Sequence, residues 1–494
     1  MRPIFMILLA ASLCLASEVR DGTVPTVLSR MQIEAEIAAF MPEERKLFVV
    51  GDENLNVVDI AEPKKPRVVQ TFEFKNEAAS VSVSGTMVAV AFPGKRAGKL
   101  KLFRFENGQL AEKHDLDVCA GLDMVTFTPD AKYLVGACEG SPSDDYAFDP
   151  EGSVLLVSFP GAEPKIQELK FNHLDSTALM KAGVRRSAPA TSNFFQTLEP
   201  EYVTVSEDSK TAWVSLQENN AIAVVDLTIP KVKAIFPLGA LDHSLPENSL
   251  AVRKGKTVKL ETVPLLGLRQ PDGIAVLERD GTPLVFTANE GASLDGEFFN
   301  DEDNVLARFE KGDLDIDVFS PVIQTLKDKE IAKDDCPVKK QGKCTALYSF
   351  GSRSVSAFNG KTGELVWDSG NLIEAKLAQV APQYFNWNSK KLKIKVNARS
   401  DSKGPEPENL VLGQIGGKTY AFVGLERMSG IFTLDVSGEK PEYVGYNLDT
   451  ADRGPEGILF ISAEKSPTKQ PLLVVCYEYS QTLVIYSLVN FLKH

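Results

Sequence analysis

One short motif recurs along this chain and constrains its fold more than any other feature. Glu36 opens EIAAFMPEERKLFVVGDENLNVVDI, and Glu201 opens EYVTVSEDSKTAWVSLQENNAIAVVDL. Each reads as a short strand, a polar turn, a second strand ending in Glu-Asn, and a third ending in Val-Val-Asp. Related units begin at Glu77, Asp123, Asp272, Glu408 and Glu456. β-Branched and aromatic residues alternate between Gly, Asp, Pro and Lys turns, which is the signature of strands. A unit this small cannot bury its apolar face alone, so its copies must pack on one another. Seven units predict an all-β chain, a seven-bladed β-propeller that closes radially. A β-helix would need shorter and more regular coils, and an eighth blade would have to hide in an insertion. Although 494 residues suffice for about three average domains, the repeat places residues 17–494 in one domain. The last unit supplies three strands, and the N-terminal TVPTVLSR is the most economical fourth, latching the ring shut.

The first residues, MRPIFMILLAASLCLA, carry one positive charge, an apolar run and then small residues. That is the layout of a secretory signal peptide over residues 1–16. The run is too short for a membrane anchor, so the chain is expected to be secreted, without a membrane span. Of the remaining cysteines, Cys336 and Cys344 bracket the polar loop CPVKKQGKC and are expected to form a disulfide. Zinc is the rival there, but the loop offers neither His nor CxxC. The pairing of Cys119, Cys138 and Cys476 stays open. A formal net charge of -13 disfavours nucleic acid and anionic surfaces.

Counting strands from the channel outward, the connections from second to third strand and from fourth to next first strand share one face, the top. The long segments 139–151, 170–200, 238–270, 291–345 and 371–406 all fall on it, which predicts a built-up functional surface. Acids also recur in register, at the start of the first strand and the end of the second. The pairs Glu36/Glu53, Asp123/Glu139, Glu201/Glu218, Asp272/Glu290, Glu408/Glu426 and Glu456/Glu478 predict a carboxylate ring at the channel mouth. In it Asp123, Glu139, Glu201, Glu218, Asp272, Glu290, Glu408, Glu426 and Glu456 are the candidate metal ligands. Oxygen ligands without His or Cys point to a hard cation, Ca²⁺ before Mg²⁺. The unit from Glu77 has PGKRAGK where its acid should stand, so the site is expected to lean towards the later blades. Acids of this kind also cap turns by bonding local N–H groups. Arg353, Arg399, Asp401, Lys403 and Arg427, with His243, are the candidate ligand-binding residues of the top face. HExxH, GxSxG and phosphate-loop patterns are absent.

Longer stretches carry a resemblance. DMVTFTPDAKYLVGACEGSPSDDYAFDPEGSV, DHSLPEN, QPDGIAVLERDG, TANEGAS, LYSFGSRSVSAF, RSDSKGPEPENL, GLERMSGIFTLDV and GPEGILF together resemble the choice-of-anchor I family. The resemblance is clearest over residues 121–494. It implies an extracellular or surface propeller, and some bacterial relatives carry an alkaline-phosphatase label. This chain departs from the family at DDCPVKKQGKC, where relatives often show an Asp/Gly-rich loop, and at Cys138, where the usual residue is Asn. The resulting expectation is a secreted, monomeric, non-catalytic propeller. Its top face would hold a cation and an extracellular protein or small anionic ligand. A metal-dependent phosphomonoesterase using the same face is the alternative.

Overall fold

The computed structural model describes residues 18–294, 296–333 and 335–493. The signal segment expected at residues 1–16 and the insert acid Asp295 lie outside the described residues. Among those residues, seven antiparallel sheets stand in a ring as a β-propeller. Their innermost strands are Ile37–Met41, Ser80–Ser84, Leu122–Phe127, Pro200–Val205, Ile274–Arg279, Pro407–Ile415 and Pro455–Ile461. Each lies against the next, and the last returns to the first. Blades are numbered one to seven in that order.

The sequence of a strand reflects its place in the blade. Second strands such as Lys46–Gly51, Tyr133–Cys138 and Leu472–Tyr477 are buried almost throughout, because neighbouring blades cover both faces. They therefore read as continuous apolar runs instead of alternating ones. Outer strands such as Arg67–Glu73 and Lys165–Leu169 are largely exposed and carry charges, which discourages edge pairing. A separate apolar core fills each blade junction. The junction that closes the ring packs Leu47, Val49 and Val58 of blade one against Leu472, Val474 and Ile485 of blade seven.

Closure uses the N-terminus twice. Thr26–Gln32 pairs antiparallel with Thr482–Ser487 as the outer strand of blade seven, as the repeat predicts. Glu18–Gly22 then adds an unforeseen fifth strand to blade six, opposite Glu442–Asp449. The N-terminus thus straps two adjacent blades together. Arg30 reinforces the strap, donating to Asp452 at 2.7 and 2.6 Å and to Asp449 at 2.6 Å.

The inserts form a layer of their own. Leu250, Val263, Phe319, Leu326, Ile331 and Leu347 make a small core, contributed by the segments before and within blade five. A mixed sheet of Ala240–Asp242, Leu265–Leu268, Lys343–Ser349 and Val338–Lys340 flanks it and stands outside the ring. Distant inserts touch. Tyr146 stacks on Phe298 with centroids 5.5 Å apart, and Arg185 bridges to Asp301 at 2.8 Å and Asp335 at 2.9 Å.

Two disulfides are formed, Cys336–Cys344 and Cys119–Cys138, while Cys476 is free and buried. The second ties the end of a blade-three strand to the connection from blade two. Non-reducing peptide mapping should recover both linked pairs, with Cys476 alkylated only after unfolding. Alkylation of Cys336 or Cys344 in native, unreduced protein would contradict the pairing.

Candidate functional site

A central cavity of about 480 Å³ opens among the innermost strands. Glu36, Asp123, Glu201, Asp272 and Glu456, all at the starts of first strands, line it together with Glu139. Burial, with help from neighbouring carboxylates, pushes the Glu36 carboxyl up to about 8 and that of Asp272 to about 6. Burial also raises Asp123, Glu201 and Glu456 well above the usual carboxylate range, reinforced by Glu139, Glu218 and Asp272 respectively. Three groups bring carboxylate oxygens within 4.8 Å of one another: Asp123–Glu139–Glu201, Asp272–Glu290–Glu408 and Glu290–Glu406–Glu426.

The groups on blades five and six are threaded with cations. Lys403 pairs with Glu290, donates to the Gly291 carbonyl at 2.7 Å and lies 3.4 Å from Glu406. Arg399 reaches Glu406 at 2.7 Å, and Arg427 lies 3.3 Å from Glu406 and 3.2 Å from Glu426. Gln217 donates to Glu290 at 2.8 Å, and the Tyr479 hydroxyl donates to Glu426. Glu406 is the hub. Its backbone is held at φ 56°, a left-handed conformation uncommon outside glycine. Burial opposes its charge, but Lys403, Arg399 and Arg427 win and hold its carboxyl down at about 2. Glu426 has burial, Glu406 and Glu290 against it and rises to about 8.

Blades three and four present the opposite case. Asp123, Glu139, Glu199, Glu201 and Glu218 converge there, each raised by burial first. For Glu199 and Glu201 the next contribution is repulsion from Glu218. The Ser141 hydroxyl donates to Glu139. Among the described residues, no lysine or arginine side chain pairs with any of these five.

Three expected ligand-binding residues are buried and engaged by other protein groups. Arg353 is 3% exposed and holds the 399–406 loop, donating to the carbonyls of Ser400 at 2.9 Å and Ser402 at 2.7 Å while pairing with Glu374 at 2.8 Å. A Cβ on Gly404, where φ is +75°, would come within 2.7 Å of the Arg353 side chain, so the loop must turn there on glycine. His243 is buried under the insert layer, where burial lowers its imidazole to about 4 and Nδ1 meets the Asn248 carbonyl at 2.6 Å. Asp401 is buried and pairs with Lys254. All three side chains are buried. Arg399, Lys403 and Arg427 do reach the channel mouth, but as partners of Glu290, Glu406 and Glu426. The sequence marks Glu406 as part of the mixed-charge loop with Arg399, Asp401 and Lys403 but not as a ring acid, and it does not pick out Glu199, Gln217 or Tyr479. Glu406 sits two residues before the recurrent Glu408, and Glu199 two before Glu201, so a doubled acid was the available signal.

Solved structures of similar chain path include a chain of Kuenenia stuttgartiensis hydrazine synthase, with TM-score 0.47 and 11% identity over 92% of this chain and 96% of that one. The Cps50 β-propeller domain of Myceliophteria thermophila gives TM-score 0.47 and 8% identity over 94% and 99%. Among curated proteins, Gigasin-3a of Magallana gigas is 32% identical over 157 residues, 28% of this chain and 55% of that protein. The mesenchyme-specific cell surface glycoprotein of Strongylocentrotus purpuratus is 31% identical over 110 residues, 20% of this chain and 14% of that protein. The matched stretches thus span little more than half of one relative and a small part of the other. The choice-of-anchor I domain model matches residues 36–439, which take in blades one to five and most of blade six. By that match, resting on the same repeats and inserts that build the ring, the chain belongs to the choice-of-anchor I domain family.

Proposed function

We propose that the protein is a non-catalytic extracellular propeller that holds a hard divalent cation, Ca²⁺ before Mg²⁺, in the carboxylate-lined mouth of its channel. Its insert-built top face then meets an extracellular protein or a small anionic ligand. The observation that carries this reading is the set of half-buried carboxylates facing one another across the cavity. Like charges removed from water repel strongly unless protons or cations intervene. An all-oxygen donor set of carboxylates suits Ca²⁺. Two disulfides and the likeness to a cell-surface glycoprotein support an extracellular setting. No helix among the described residues is long and apolar enough to cross a membrane.

The phosphomonoesterase alternative draws less support from the geometry. The cations that would grip a phosphate, Lys403, Arg399 and Arg427, already pair with carboxylates. His173 Nε2 meets the Val232 carbonyl, and His243, buried away from the channel mouth, meets the Asn248 carbonyl through Nδ1. In the EDTA-treated full chain, added Ca²⁺ should raise the melting temperature by several degrees. A ligand bound only to the native state at 100 times its Kd adds about 2.7 kcal/mol. Melting curves unmoved by Ca²⁺ and Mg²⁺ would contradict the reading, and Ca²⁺-dependent turnover of a phosphomonoester would replace it with the alternative.

A further inference from the structure

The two sides of the channel mouth look alike in sequence but differ in what answers their charge. On blades five and six, Glu290 has both oxygens engaged, Oε1 by Lys403 and Oε2 by Gln217. Glu406 has Arg399 on Oε1 and Arg427 and Lys403 on Oε2. A metal ion there would have to displace ammonium and guanidinium groups already in place. On blades three and four, the Ser141 hydroxyl on Glu139 is the single side-chain donor to Asp123, Glu139, Glu201 or Glu218 among the described residues. Glu218 is 9% exposed, and its Oε2 is buried with no hydrogen-bond partner. Glu408 Oε2 on blade six is likewise unpartnered, but its carboxylate group includes Glu290, whose two oxygens Lys403 and Gln217 already hold. Glu139, Asp301 and Glu290 surround it with further negative charge.

We infer that the cation binds on blades three and four, with Asp123, Glu139 and Glu201 as its ligands and Glu218 beside them. The Lys403–Glu290–Glu406–Arg399–Arg427 cluster is then a fixed ion-pair lock and not a metal site. This inference rests on the cation reading above and gives it an address, moving it away from the later blades to which the sequence pattern leaned. The distances suit it. Three oxygens at most 4.8 Å apart leave a central point no more than about 2.8 Å from each. Ca²⁺–oxygen bonds are 2.3–2.6 Å, so a closure of a few tenths of an ångström completes them. Mg²⁺, at 2.0–2.1 Å and with a strict octahedron, would demand a larger contraction. The cavity alongside leaves room for the water that fills the remaining coordination positions.

The test is calorimetric titration of Ca²⁺ into the EDTA-treated full chain and its variants. Glu139→Gln and Glu201→Gln should each weaken Ca²⁺ binding by about 100-fold or more, since even outer-shell changes at metal sites cost 10–100-fold. Glu290→Gln and Glu426→Gln should leave it within a few-fold of wild type. A second readout separates ligand from scaffold. Without metal, Glu201→Gln should melt no lower than wild type, because it removes a repelled charge, whereas Glu290→Gln should melt lower, because it strands Lys403. If Glu290→Gln or Glu426→Gln abolishes binding while Glu139→Gln and Glu201→Gln do not, the inference fails and the broader reading survives. If wild type takes up no Ca²⁺, both fail, and the acids of blades three and four are held protonated.

Discussion

Removal of residues 18–32 is expected to abolish cooperative folding of the ring. The truncation takes away the outer strand of blade seven and the fifth strand of blade six together. It also removes Leu28 and Met31, which pack against the core between blades seven and one. That core is the ring's closing joint. Loss of Arg30 leaves Asp452, whose side chain is 1% exposed, without its partner. Among the described residues, Asp452 would then keep only the Thr482 hydroxyl to answer its buried charge. The exposed edge Thr482–Ser487 would in addition offer a template for pairing with other chains. Scanning calorimetry should show a broad, low-temperature transition or aggregation. A single sharp transition within a few degrees of the full chain would contradict the strap.

Glu406→Gln should lower the melting temperature more than any other single neutralisation at the channel mouth. The wild-type carboxylate faces Lys403, Arg399 and Arg427 at once. Without it, these three cations crowd one another around Glu290 and Glu426. Arg399 and Arg427 are about one-fifth exposed and can turn towards water, so the loss is set at about 3 kcal/mol, the low end for a broken buried pair. For a chain of this size that is a fall of roughly 3 °C. The pH dependence supplies a sign. The Glu406 carboxyl sits at about 2 in the folded protein against 4.5 as its ordinary value. Its stabilisation is therefore present above about pH 4.5 and is lost as pH falls towards 2. The gap between wild type and Glu406→Gln should narrow over that window in thermal melts. Equal melting at pH 7, or a gap that ignores pH, would contradict the lock.

Much of the ring was legible because propeller strands repeat their chemistry. The acid at the start of each first strand and the apolar second strand recur in sequence as they do in space. The closing strand could be inferred because blade seven lacked an outer strand. The strand Glu18–Gly22 could not, since EVRDG has neither length nor alternation, and its pairing with blade six is set by where the N-terminus must pass. The sequence pattern brought out the acids that cluster in the structure as Asp123–Glu139–Glu201 and Asp272–Glu290–Glu408, but their division into two kinds was hidden. Lys403 and Glu290 are 113 residues apart, and no local pattern declares that they pair. The same limit applies to Arg353, which reads as a free loop cation until Ser400, Ser402 and Glu374 fold over it.

The central claim is that a metal ion answers the charge on blades three and four. Elemental analysis addresses it most directly, on full-length protein secreted by a eukaryotic host and exchanged into metal-free buffer without chelator. Wild type should carry about one Ca²⁺ per chain. A Glu139→Gln/Glu201→Gln double variant that keeps the wild-type circular dichroism spectrum should carry none. Wild-type protein free of divalent metal, or a double variant carrying as much as wild type, would contradict it.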